Sequence, residues 1–257
     1  MKQYLVFNFK NNPQNLSQLD SLLKIYHNFE EGLTRKFSVV LLPPTLYLLK
    51  AQEVLKNGFL WGSQNVFWHS KIAITGEVTP QMLKANGVKV VLIGHSERRE
   101  YLEENREMIN LKIKACLAAN LIPLLCVGEA TKSSQTKLDF KSRQEIFEDL
   151  NYAFRGVKLT GGEKIMIAYE PRWAIGTDLI PDLTVLEEVM KVIRFWLSRR
   201  FSEDLAQKIA LLYGGSVTSQ NILSLLRVKN INGVLIGRAA TKPLELNQLL
   251  KKLRSKN

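Results

Sequence analysis

The sequence predicts an α/β fold: a single-domain (β/α)8 barrel closed by a parallel eight-stranded sheet. Three observations lead there. Eight short apolar runs alternate with amphipathic segments along all 257 residues. Most of these runs are continuously apolar, as expected for strands buried on both faces of a parallel sheet. The unusual polar and glycine-rich clusters fall just after the runs, on the rim where such a barrel carries its chemistry. A doubly wound open sheet shares the alternation and is the structural alternative.

The strands are expected at residues 4–7, 38–42, 60–65, 88–93, 122–127, 165–169, 209–212 and 233–236. The third, Leu60-Trp61-Gly62-Ser63-Gln64-Asn65, has the weakest pattern. Between strands five and four, Met108, Leu111, Ala115 and Ala118 read as one helical stripe, stopping near Asn120. After the sixth strand, Thr184-Val185-Leu186-Glu187 has the form of a capping box. Behind it Val185, Val189, Val192 and Trp196 recur on one helical face, suited to packing on a sheet. Residues 131–137 form a polar loop too short to join two domains. No composition shift marks a boundary, so residues 1–257 are read as one domain with a frayed C-terminus.

Composition sets limits on function. No apolar run approaches the roughly 20 residues of a membrane span, and Met1-Lys2-Gln3-Tyr4-Leu5 enters a strand with no secretory apolar region. The two cysteines, Cys116 and Cys126, suit a reducing compartment and have no zinc-site spacing. A cytoplasmic protein with no membrane partner is expected. The net charge of +12 suits an anionic ligand. The Lys and Arg are scattered apart from the tail at residues 251–256, without aromatic interleaving, so no nucleic-acid partner is expected.

The most informative stretch is Tyr169-Glu170-Pro171-Arg172-Trp173-Ala174-Ile175-Gly176-Thr177. Glu170 ends a buried strand, where a carboxylate sees little water and suits a general base. Pro171 through Thr177 have a rigid start and a glycine able to present its N–H, the makings of a lid over an anion. Gly214-Gly215-Ser216 and Gly237-Arg238 follow the last two strands, the usual phosphate site of this architecture. His95 follows the fourth strand, and a helical turn from Ser96 would present donors that favour a neutral ring. Lys10, beyond Asn8 and Phe9, adds a fixed cation for a developing oxyanion. Together these groups suit proton abstraction next to a carbonyl in a small phosphorylated substrate. There is no metal-ligand spacing and no dinucleotide fingerprint, so neither metal nor cofactor is implied.

Over essentially its whole length the chain resembles the triosephosphate isomerase family. The resemblance is carried, in order, by Asn8-Phe9-Lys10, Ser63-Gln64-Asn65-Val66, Thr75-Gly76-Glu77, Gly94-His95-Ser96-Glu97-Arg98-Arg99, Cys126-Val127-Gly128-Glu129, Ala168-Tyr169-Glu170-Pro171, Ala174-Ile175-Gly176-Thr177, Tyr213-Gly214-Gly215-Ser216 and Ile236-Gly237-Arg238-Ala239. It implies interconversion of dihydroxyacetone phosphate and D-glyceraldehyde 3-phosphate, in glycolysis and gluconeogenesis. The family is a standard example of environment-tuned acid–base roles, so the base and the neutral imidazole are its known parts. By resemblance Glu170 is the base and His95 the electrophile, while Asn8 and Lys10 contact the substrate and Lys10 also acts electrostatically. Glu97 and Cys126 are supporting residues. Gly176, Ser216, Gly237 and Arg238 contact the phosphate, and Pro171, Arg172, Trp173, Ala174, Ile175, Gly176 and Thr177 form the lid. The family is usually a homodimer, which makes Gln64, Asn65, Thr75, Gly76 and Glu77 the expected contacts. The apolar body of that loop fits association.

Three departures stand out. Phe9 replaces a common Trp, Asp178-Leu179 replaces the usual Gly-Lys at the lid tip, and Arg238 replaces the second glycine of a common pair. The Arg238 side chain is expected to pack outward or toward the phosphate. Asp178-Leu179 and the charge are the basis of the rival reading, a catalytically weakened barrel that acts as a basic binding protein.

Overall fold

Eight parallel strands close on themselves in the computed structural model, each hydrogen-bonded to its sequence neighbours, with the last paired to the first. The structure describes residues 2–55, 58–69, 72–130, 137–162, 164–174, 177 and 179–255. The strands are β1 (Gln3–Asn8), β2 (Phe37–Leu42), β3 (Phe59–Ser63), β4 (Val90–Ile93), β5 (Ile122–Val127), β6 (Met166–Tyr169), β7 (Ala210–Tyr213) and β8 (Gly233–Ile236). Closure is made by Tyr4 opposite Gly233 through Phe7 opposite Ile236. This pairing replaces the open-sheet alternative. All eight expected strands form. The third ends at Ser63, which leaves Gln64 and Asn65 beyond it as loop residues.

The chain folds this way because its strands are apolar on both faces. One set of side chains, including Val6, Val40, Leu92, Leu124, Met166 and Leu212, fills the barrel interior. The alternate set, including Leu5, Phe7, Leu41, Ile93, Ile167 and Leu211, packs outward under the helices. These helices are α1 (Leu16–Lys36), α2 (Leu48–Val54), α3 (Pro80–Ala85), α4 (Ser96–Tyr101), α5 (Arg106–Ala118), α6 (Phe140–Ala153), α7 (Leu183–Arg200), α8 (Glu203–Lys208), α9 (Ile222–Leu225) and α10 (Pro243–Arg254). Asn15, Asn105, Asp139 and Ser202 cap α1, α5, α6 and α8 by accepting a first-turn backbone N–H. Among the described residues no helix is long and apolar enough to cross a membrane.

Two helical details differ from the sequence reading. Helix α7 begins at Leu183 after Pro181-Asp182, so Thr184 lies inside the first turn and no capping box forms. Its inward stripe of Val185, Val189, Val192 and Trp196 is buried as expected. In α5 the buried face is Ile109, Lys112, Ile113 and Cys116, while Met108, Leu111 and Ala115 are half-buried and Ala118 is exposed. The stripe lies one residue along from its expected place. The reason is polar burial: Asn110 donates to the Ala153 carbonyl at 2.8 Å, and Lys112 donates to Glu104 at 2.5 Å. A pattern that counts only apolar residues misses a face completed by satisfied polar ones. The stop near Asn120 is observed, with Asn120 in the left-handed region at φ 55°.

Candidate active site

Because all strands run in one direction, their C-terminal ends share one rim, and the residues beyond those ends converge. A cavity of about 370 Å³ opens there, lined by Asn8, Lys10, His95, Glu170, Gly214, Gly215, Ser216, Gly237 and Arg238, with Phe9, Asn12, Val217, Leu235, Thr241 and Lys242. The acid, imidazole, ammonium and glycine loops singled out in the sequence therefore share one pocket. Gly176 and Ile175 of the expected lid, and Asp178 at its tip, lie outside the described residues.

Lys10 reaches the site through a backbone that few residues adopt, with φ 52°. Two contacts hold it there. Asn8, buried at the end of β1, accepts the Lys10 N–H at 3.0 Å. Gln64, just past β3, donates to the Lys10 and Leu42 carbonyls, both at 2.8 Å. The Lys10 ammonium donates to Glu97 Oε1. Gln64 thus positions a cavity residue within its own chain, a contact that the sequence reading did not anticipate.

Glu170 is 2% exposed and His95 is 6% exposed, so both are almost sealed from water. His95 Nε2 lies 3.4 Å from Glu170 Oε1. His95 occupies the N-cap of α4, and its Nδ1 accepts the Glu97 N–H at 3.4 Å. With Nδ1 as acceptor, a neutral ring carries its proton on Nε2, the nitrogen that faces Glu170. Glu170 Oε2 accepts the Ser96 N–H at 3.4 Å. Glycines make room for this carboxylate. A Cβ on Gly214 would lie 2.8 Å from Glu170 Cγ, and one on Gly128 would lie 2.0 Å from the Glu170 carbonyl oxygen.

The first turn of the loop after β6, where the sequence places a lid, is tied down from below. Residues Arg172–Ala174 form a 3-10 turn in which Trp173 Nε1 donates to Glu129 Oε1 at 2.8 Å. Tyr169 donates to the same oxygen at 3.0 Å. Burial raises the Glu129 pKa, while its hydrogen bonds from Trp173 and Tyr169 work in the opposite direction. Ser216 Oγ donates to the Ala174 carbonyl at 2.9 Å, which joins the loop after β7 to the loop after β6. Thr177 donates to the Ala174 carbonyl at 3.1 Å. The Glu129 anchor was not read from the sequence, although Glu129 stands in a motif that was quoted.

Cys126 lies inside the barrel beneath the site, and burial, followed by the neighbouring Glu170 carboxylate, pushes its thiol pKa up. Arg238 points along the rim, its Nε 3.8 Å from Glu245 Oε2, while also lining the cavity. Phe9 is buried and stacks on Tyr26 at 5.5 Å between ring centroids. Thr75, Gly76 and Glu77 stand at an exposed loop tip, away from the cavity lining.

A cavity of about 370 Å³ on a parallel eight-stranded barrel, with a sealed carboxylate facing an imidazole, fits the class of enzymes that move protons within a small substrate. Comparison with known proteins gives the particular family. The family described as triosephosphate isomerase matches residues 3–253. The chain is 38% identical to the triosephosphate isomerase of Dictyoglomus turgidum, across 88% of this chain and 90% of that protein. It is 36% identical to that of Wigglesworthia glossinidia brevipalpis across 97% and 96%. It is 35% identical to that of Emericella nidulans across 92% of each. The chain belongs to the triosephosphate isomerase family.

Proposed function

We infer that this protein interconverts dihydroxyacetone phosphate and D-glyceraldehyde 3-phosphate, with Glu170 as the base and His95 as the electrophile. The observation that carries the assignment of roles is the sealed pairing of His95 Nε2 with Glu170 Oε1, 3.4 Å apart on the cavity wall. Glu170 takes a proton from C1 of dihydroxyacetone phosphate, and the C–H electrons form the C1–C2 double bond as the carbonyl electrons move to O2. His95 gives its Nε2 proton to O2 and accepts the O1 proton in turn. The C1–O1 double bond then forms as Glu170 returns its proton to C2, giving the aldehyde with every atom accounted for. Lys10 stabilises the negative charge on the oxygens.

Ser216, Gly237 and Arg238 hold the phosphate in this reading, with Gly176 joining from the lid. Asn8 and Glu97 position Lys10 and His95. Closing the lid excludes water and protects the enediolate from loss of phosphate. The reaction serves glycolysis and gluconeogenesis. The two buried free thiols suit a cytoplasmic setting.

The active form in this reading is a homodimer. Support comes from the loop at residues 64–77, whose Ile72 and Ile74 are 52% and 46% exposed, and from Leu46, 83% exposed beyond β2 on the same rim. Sedimentation should give twice the chain mass of 29.3 kDa; a single-chain mass would remove the dimer from the proposal.

The test of function is glyceraldehyde 3-phosphate isomerisation by the purified protein beside Glu170→Gln. Rapid turnover that falls by about 10²–10⁴ in the variant supports both the activity and the base. A folded protein with no turnover favours the weakened barrel acting as a basic binding protein.

A further inference from the structure

The cations that look scattered along the sequence converge in the fold. In a closed parallel barrel, the residues just before each strand meet at the pole opposite the active site. Lys2, Lys36 and Lys89 immediately precede β1, β2 and β4, and Lys164 and Lys208 precede β6 and β7 by two residues. All five side chains belong to exposed residues. Contacts confirm that these ends lie together. Lys36 donates to the Arg254 carbonyl at the end of α10, at 3.1 Å, and Lys2 donates to the Thr34 carbonyl near the end of α1, at 2.7 Å. Lys89 and Lys164 line one cavity of about 190 Å³ with Asn120 and Gly162.

Acidic residues neutralise only part of this pole. Asp204 pairs with Lys208 at 2.5 Å, and Glu31 pairs with Arg35. Lys89 and Lys164 make no ion pair with the described residues. The last turns of α7 and α10 bring further Arg and Lys to the same pole. Cations in a last helical turn complement the helix dipole. That accounts for Lys36 and Lys208, but Lys2, Lys89 and Lys164 lead strands and end no helix. The pole also faces away from Glu170 and His95, so its charge is poorly placed to guide a triose phosphate into the cavity.

We propose that this lysine-ringed pole is a binding surface for the phosphate backbone of nucleic acid, engaged without base readout. A ring of separated ammonium groups matches a duplex, which presents a negative charge every ~1.7 Å of its axis. Contact with backbone phosphates alone is sequence-independent and needs no base readout. A bilayer is the weaker match. Among the described residues the four most exposed large apolar side chains, Leu46, Leu244, Phe140 and Tyr101, follow strands or start helices on the opposite side, while Phe195 lies in the second half of α7. The pole therefore offers more charge than apolar surface for lipid.

The experiment is fluorescence anisotropy of a labelled 20-base-pair DNA duplex with the full-length protein, at 50–200 mM salt, beside Lys89→Glu/Lys164→Glu. Non-specific binding is expected with Kd of roughly 10⁻⁶–10⁻⁴ M and a log–log salt slope of about −3 for the three strand-leading lysines Lys2, Lys89 and Lys164. The variant should weaken binding about tenfold or more and reduce the slope by about 2. Its isomerase kcat/KM should be unchanged, which also shows that it folds. Should the double reversal be insoluble, Lys89→Gln/Lys164→Gln gives the same comparison with a smaller charge change. No duplex binding at 50 mM salt overturns the proposal, as does an unaltered slope in a folded variant. Tighter binding to phosphatidylglycerol-containing vesicles than to duplex overturns the choice of partner.

Discussion

The backbone N–H of Glu97 donates to Nδ1 of His95 at 3.4 Å, and that one contact decides which side of the ring can act as an acid. It follows from chain geometry: His95 is the N-cap of α4, so its side chain meets the first free donors of the helix. The other nitrogen is left to carry the proton toward the cavity. Nitrogen-15 NMR of histidine-labelled protein at pH 8 should show Nε2 protonated and Nδ1 bare. His95→Gln keeps a donor but loses the ability to exchange protons between two oxygens, so kcat should fall by about 10²–10³. A Nδ1–H tautomer, or a variant within tenfold of the parent, would remove His95 from its assigned role.

Beneath the same helix lies a buried charge network. Glu104 accepts from Lys112 at 2.5 Å, from Arg98 Nε at 2.6 Å and from the Gly94 N–H at 2.9 Å, while Lys112 also donates to Asn65 at 2.8 Å. Burial alone would raise the Glu104 pKa, but Lys112 and then Arg98 outweigh it and hold the carboxyl below its ordinary value. The linkage sign is fixed by that direction. The unfolded state binds the proton more readily, so the contribution to stability is complete above the unfolded pKa of about 4.3. It is lost as pH falls through the lower folded value. Glu104→Gln leaves Lys112 buried with its charge uncompensated and should cost roughly 3 kcal/mol at pH 7. Its denaturant midpoint should also change less than the parent's below pH 4.3. Parallel pH curves for the two proteins would show that Glu104 is not the linked group.

This network marks the boundary of what the sequence made legible. Apolar runs exposed the strands because a doubly buried strand has almost no polar residues to confuse the pattern. The rim residues were legible because each sits one to three positions past such a run, and the closed sheet brings those positions together. The inward face of α5 was not legible, since Lys112 and Asn110 are buried by virtue of partners remote in sequence. The Trp173–Glu129 anchor was hidden for the same reason: it joins residues 44 apart in sequence. The Lys2, Lys89 and Lys164 cluster has no linear signature at all, because only closure of the barrel gathers it.

The two cysteines should behave as inert thiols. Burial pushes Cys116 up to about 12, and burial and then Glu170 push Cys126 up as well, so neither forms the reactive thiolate near neutral pH. A disulfide-exchange reagent at pH 8 should find no reactive thiol in the native protein and both thiols after denaturation. Rapid native labelling of one thiol would mean that the barrel interior beneath Glu170 opens more readily than its packing indicates.

Arg238 offers the last test, because it alters a glycine position of the family at the mouth of the cavity. Its Nε lies 3.8 Å from Glu245 Oε2, while Lys242 approaches the other Glu245 oxygen at 3.2 Å. Both the Arg238 and Glu245 side chains are 40% exposed, so the pair is screened and worth about 1 kcal/mol at most. A guanidinium in such a pair can still lend charge to a phosphate in the cavity, and in the proposed site its backbone N–H would supply the contact that glycine would. Arg238→Gly should therefore keep kcat and weaken inhibition by inorganic phosphate only about two- to fivefold, an effect that shrinks at high salt. Unchanged inhibition would place the side chain wholly in service of the rim. A loss of a hundredfold would show instead that the side chain itself clamps the phosphate.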